Sequence, residues 1–215
     1  MFEKPKKRLV MGLGGGLVCS CRSDKVLEKL LLAHDNDYLI STVDMTAGYI
    51  KFIQTVVGGD RIWLDSGGFT LFKKQKKLGE NNPDFWNECE KMKKKFLRFL
   101  KTYRFKMCFE LDNEYFRKDD DLLSPKNYLR DEIKEITGYY PAPVFKMHQG
   151  FQYWKDLCDS ALYPILSIGG LAQARQWHVY RDELGKMMKY ARDKGKYVHL
   201  LGCSNVETTR FVMPD

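Results

Sequence analysis

The sequence predicts an α/β fold, a TIM (β/α)8-type barrel short of, or truncated at, its last strand, on three observations. Short runs rich in β-branched and aromatic residues alternate along the chain with helical patterns, the order of a parallel sheet wound with crossover helices. Apolar runs such as Ile62-Trp63-Leu64 and Ile165-Leu166-Ser167-Ile168 do not alternate with polar residues, as befits strands covered on both faces. Five successive predicted strand ends carry small or polar residues, and the carboxyl ends of barrel strands are where loops converge on one open face.

Strands are expected at 8–13, 38–43, 61–64, 105–111, 143–148, 164–168 and 197–201. Helices are expected between them at 24–33, 47–56, 83–103, 125–137 and 173–193, with Pro125 suited to a first helical turn. The clearest is 83–103, where Phe85, Cys89, Met92, Phe96, Phe99 and Tyr103 recur at steps of four and three and form one apolar stripe. Lys91, Lys93, Lys94, Lys95, Arg98 and Lys101 fall off that stripe and read as a solvated outer face. A second lysine cluster, Lys73, Lys74, Lys76 and Lys77, follows the third strand closely and is a better candidate for a polyanion. Gly12 and Gly14 to Gly16 suggest a dinucleotide loop, but Leu17 stands where the third glycine of a G-x-G-x-x-G would be, so a flexible strand-to-helix loop is expected.

A chain of 215 residues is long enough for one sizeable core and is read as a single domain, 1–215. With 44% hydrophobic and 30% charged residues, its composition is that of a folded protein rather than a disordered one. The net charge of +8 makes a polyanionic partner plausible, although solvated lysines give the same balance. Six cysteines, at 19, 21, 89, 108, 158 and 203, are scattered through apolar stretches and not spaced as a disulfide framework, so reduced thiols and a cytoplasmic protein are expected. There is no signal-peptide pattern and no apolar run of the roughly 18 residues that cross a bilayer.

The strand ends supply the candidate chemistry. Asp65-Ser66-Gly67-Gly68-Phe69 follows the third strand and Asp112-Asn113-Glu114 the fourth. His148-Gln149-Gly150, Gly169-Gly170-Leu171 and Gly202-Cys203-Ser204-Asn205 follow the fifth, sixth and seventh. Either aspartate could simply cap the next helix, and the glycine pairs could simply make turns. Their joint placement at one face is what suggests a site. His34, His178 and His199 lie singly in helix or strand patterns and read as structural, whereas His148 stands beside Gln149 at a strand end.

Taken together, these segments resemble the tRNA-guanine transglycosylases. Asp65-Ser66-Gly67-Gly68-Phe69 after Ile62-Trp63-Leu64 looks like the family signature, with Thr70 where the family continues with Gln. Phe109-Glu110-Leu111-Asp112, His148-Gln149-Gly150 and Ser167-Ile168-Gly169-Gly170-Leu171-Ala172 are similar, in the same order, to its Asp, Gln-Gly and Gly-Gly-Leu-Ala segments. Leu200-Leu201-Gly202 resembles the next family strand, so the likeness covers about 61–215. The small size and Thr70 look closer to the phage and bacterial branch that inserts 7-deazaguanine derivatives into DNA than to the tRNA enzymes.

The resemblance implies replacement of guanine in DNA, or in tRNA, by a 7-deazaguanine derivative in the cytoplasm of a bacterium or a phage-infected cell. Asp65 would act in proton transfer and base positioning, with Ser66, Gly67 and Gly68 beside it and Phe69 stacked on the base. Asp112 and Gln149 would hydrogen-bond the guanine-like edge, with His148, Gly169, Gly170 and Leu171 close to it. Lys73, Lys74 and Lys146 would contact phosphates at the rim. The family nucleophile is an Asp on the eighth strand, for which Asp215 is the nearest residue; the chain is a fragment, is completed by a second protein, or binds without turnover. No cofactor is implied, and the structural zinc of the tRNA enzymes is not expected, since Cys19-Ser20-Cys21 has no second pair. Two other readings stay open: a catalytically silent nucleic-acid-binding barrel, and an enzyme holding a phosphorylated metabolite at Gly169-Gly170.

Overall fold

A computed structural model of the chain describes residues 10–13, 24–33, 36–116, 128–170 and 180–201. These fall into two compact units, the described residues up to Pro141 forming one and those from Ala142 the other.

The first unit is a four-stranded parallel sheet in the order β1-β2-β3-β4, built from β1 (Val10–Leu13), β2 (Asp37–Ser41), β3 (Ile62–Asp65) and β4 (Met107–Cys108). Crossover helices connect them: α1 (Asp24–Leu32), α2 (Ala47–Val57), then α3 (Gly68–Leu78) and α4 (Pro83–Thr102); α5 (Leu129–Thr137) follows β4. The apolar stripe expected on α4 is buried at Phe85, Cys89, Met92, Phe96 and Phe99 and packs with Tyr38, Ile40, Ile50, Ile53 and Leu64 in one core. Asn82 caps α4, its side-chain oxygen accepting from the N–H of Asp84 at 2.8 Å, and Pro83 occupies the first turn. Parallel pairing sets Ser41 beside Asp65, so the carboxyl ends of β2 and β3 lie side by side.

The second unit is a three-stranded parallel sheet in the order β5-β6-β7, from β5 (Val144–Lys146), β6 (Ile165–Gly169) and β7 (Tyr197–Leu200), with α6 (Gly150–Asp159) and α7 (Arg181–Asp193) between them. Trp154 of α6 is fully buried and donates its indole N–H to the carbonyl of Met187 on α7 at 3.0 Å. Lys146 pairs with Gly169 at the carboxyl ends of β5 and β6.

The expected eight-stranded barrel is not what forms. The strands pair as two separate open sheets, and the fourth, expected over 105–111, keeps only Met107 and Cys108 in its ladder. Beyond them Phe109 still donates to the carbonyl of Leu64 at 3.0 Å, and the ladder with β3 ends at Cys108. Barrel closure needs a continuous staggered ladder around every strand, and a two-residue edge strand does not provide it. Among the described residues no helix is long and apolar enough to cross a membrane.

Candidate functional site

In the first unit the candidate residues gather on one turn. Asp65 ends β3, and its carbonyl accepts twice from Thr42, from the backbone N–H at 2.9 Å and from the hydroxyl at 2.7 Å. That double tie fixes the residue from which the side chain projects. The carboxylate is half-buried and accepts from the N–H of Gly67 at 3.3 Å and from the Ser41 hydroxyl. An ionised carboxylate has only acceptors, so the Ser41 hydroxyl, whose oxygen accepts the N–H of Val43 at 3.2 Å, is the donor in the second bond. Burial nonetheless pushes the carboxyl of Asp65 above the ordinary aspartate range, helped by the charge of Asp44, with the bonds from Gly67, Ser41 and Ser66 pulling the other way.

Two glycines make the turn possible. Gly67 has a φ of +88°, where a side chain would be strained, and a Cβ there would stand 2.6 Å from Val43. Gly68 opens α3, and a Cβ on it would come within 1.8 Å of the Asp112 carboxylate. Asp112, half-buried after β4, therefore rests against the amino end of α3, where helix N–H groups and the helix dipole favour a negative group. One turn thus touches two carboxylates from neighbouring strand ends.

Ser66, expected beside the base, is buried and donates its hydroxyl to the carbonyl of Glu110 at 2.8 Å, tying the end of β3 to the segment after β4. Phe69 is 51% exposed, with the Lys73 ammonium 4.5 Å from its ring centre. Lys73 is exposed, whereas Lys74 is paired with Glu88 on α4.

Three residues of this edge were not among the sequence candidates: Ser41, Asp44 and Lys95. Lys95 reaches from α4 to donate to the carbonyl of Val43 at 3.2 Å. Its ammonium is held below the usual lysine range by burial first and then by Arg98, with Asp44 acting in the opposite sense. The signal for all three was a strand end, Ser41-Thr42-Val43-Asp44, and a lysine one helical turn beyond Lys91.

The second unit holds the remaining candidates at the carboxyl ends of β5 and β6. His148 is exposed, and Lys146 and Gln149 are half-buried. The side-chain oxygen of Gln149 accepts the N–H of Lys146 at 2.7 Å, which fixes the amide orientation and turns Nε2 the other way. That Nε2 is buried without a hydrogen-bond partner. Gly169 is buried at the end of β6 and Gly170 follows, exposed, with a φ of +83°. Leu171 and Asp215 lie outside the described residues. No group of three His, Cys, Asp or Glu side chains able to hold a metal is found among the described residues.

No family model, curated protein or solved structure matches this chain.

Proposed function

We propose that the chain exchanges guanine in a nucleic acid, DNA in preference to tRNA, for a 7-deazaguanine derivative. The observation that carries this reading is the Gly67-Gly68 turn, which holds the half-buried carboxylate of Asp65 and makes room for that of Asp112. Two carboxylates in unlike settings are what base exchange asks for, one to move a proton and one to read ring N–H and amino donors. A metabolite enzyme holding phosphate at Gly169-Gly170 would have little use for that pairing.

The reaction balances without an oxidant, reductant or cofactor. An attacking carboxylate bonds to the anomeric carbon as the carbon–nitrogen bond to guanine breaks, the bonding pair passing to the ring nitrogen, which takes up a proton. The incoming base then loses its own ring N–H proton, its nitrogen attacks the same carbon, and the carboxylate leaves. Asp65, raised by burial toward working pH, gives and takes back the proton; Asp112 accepts from the guanine edge. The resemblance assigns the attack to Asp215 or to a carboxylate of a second protein.

The test is incorporation of radiolabelled guanine and 7-deazaguanine into DNA and, separately, into tRNA, with this chain alone and with proteins encoded beside it. Label entering DNA and lost in Asp65→Asn supports the proposal. A folded chain that binds DNA and incorporates nothing under any of these conditions overturns it in favour of a silent binding module.

A further inference from the structure

The outward face of α3 carries more than the proposed chemistry draws on, which takes from this helix Phe69 for the base and Lys73 and Lys74 for phosphates. Its sequence, GFTLFKKQKKL, has four lysines and no carboxylate. One side of the helix faces inward: Leu71 is buried, Leu78 packs on the core, and Gln75 accepts from the Asn113 side chain at 3.2 Å. Lys74 is spent on Glu88. The other side presents Phe69, Phe72, Lys73 and Lys76 at steps of three and four, with Lys77 beside them. Here the lysines meet rings and not acids: Lys73 lies 4.5 Å from the Phe69 ring centre and Lys76 4.5 Å from that of Phe72. Lys73, Lys76 and Lys77 are exposed and have no ion-pair partner among the described residues.

We infer that this face of α3 is a docking surface for single-stranded DNA. Three uncompensated ammonium groups within about one helical turn supply the phosphate contacts, and an exposed aromatic ring supplies a stacking platform. The strand must be single, because a paired base keeps its faces inside the duplex while an unpaired one offers them to Phe69. The face carries ammonium and aromatic groups, which take the phosphates and bases of either polymer, and DNA is the polymer the proposed function names. Because α3 begins three residues after Asp65, a strand lying along it leads its next nucleotide toward the two-carboxylate turn. The inference rests on the proposed function for its nucleic-acid partner and shares Phe69 and Lys73 with it, so binding is measured without turnover and either can fail alone.

The experiment measures binding without turnover, by fluorescence anisotropy of a labelled 20-nucleotide mixed-sequence DNA strand across a salt series. Its arms are the same strand as duplex and as RNA. Replacing Lys73, Lys76 and Lys77 together by Gln is expected to lower the slope of log affinity against log salt by about 2, from about 0.7 per phosphate contact on a single strand. Phe69→Ala is expected to weaken the single strand roughly ten-fold and the duplex little, with Phe69→Leu failing to restore it. The control replaces Lys94, Arg98 and Lys101, exposed on α4, by Gln; it removes the same charge and should leave slope and affinity nearly unchanged. Circular dichroism checks that each variant is folded, and all substitutions are at exposed positions. An equal loss of slope in the α4 control, duplex bound as tightly as single strand, or RNA bound ten-fold more tightly than DNA would each overturn the inference. Binding that follows these expectations with no base incorporation would leave the surface standing and remove the proposed activity.

Discussion

The Oδ1 atom of Asp112 occupies the space a side chain on Gly68 would enter, since a Cβ there would stand 1.8 Å from it. The segment after β4 is thereby registered, at Asp112, against the first residue of α3. Gly68→Ala should push the Asp112 carboxylate aside at a cost of about 1 kcal/mol, because the obstructing atom ends a short side chain that can rotate. Base exchange should fall far more than stability does. The double variant Gly68→Ala with Asp112→Ala should recover most of the lost stability and none of the activity, a coupling that denaturant melts and incorporation assays read together.

Asp65 predicts an unusual pH dependence of stability. Its carboxyl is raised in the folded protein, so between the unfolded and folded pKa values the native state binds more protons and stability falls as pH rises. Asn at this position keeps an oxygen for the Gly67 N–H and carries no charge. Asp65→Asn should therefore melt higher than the parent near pH 7, and the gap should close toward about pH 3.9 and below, where the aspartate is protonated in both states. Thermal melts across that range check this; a gap that widens in acid would show that the bonds from Gly67 and Ser41 outweigh burial.

The α/β class and the places of the seven strands could be read from the sequence, most clearly at β3 and β6, where strands buried on both faces leave short continuous apolar runs. The stripe of α4 was legible for a related reason, with 20 residues giving the period room to repeat. Barrel closure was not legible, since the same runs serve an open sheet and the decision rests on which ladders pair. Helices α3 and α6 were missed because each begins at a glycine that reads as loop. At the site, Asp65 and Asp112 stood out as acids after strands, while Ser41 did not, because the expected strand ran on to Val43 and hid the end that the structure places at Ser41. The role of Ser66 was beyond the sequence, since its partner, the Glu110 carbonyl, is 44 residues away.

That bond gives a clean separation of structure from chemistry. Ser66→Ala removes the donor to the Glu110 carbonyl and should cost about 1 kcal/mol in urea unfolding. Incorporation at a temperature where the variant remains folded should stay within a few-fold of the parent, because the Ser66 hydroxyl is turned to the backbone. A thousand-fold loss would mean instead that the hydroxyl leaves Glu110 to meet substrate.

Glu110 carries a second tie, its carboxylate accepting from Nε of Arg130 on α5 at 2.6 Å with both side chains buried. A buried pair gains little over a well-packed apolar pair, because each charge has already lost its water, yet removing one partner leaves the other's charge buried with a strong bond fewer. Arg130→Met should therefore cost on the order of 3–5 kcal/mol, and Glu110→Gln less, since the amide still offers Arg130 an acceptor. The double variant Glu110→Leu with Arg130→Met should be markedly more stable than Arg130→Met alone. Urea melts of the parent, Glu110→Leu, Arg130→Met and the double variant close the cycle, with Glu110→Gln measured beside them, and a double variant no better than Arg130→Met would mean that the pair holds the segment after β4 by geometry that apolar packing does not replace.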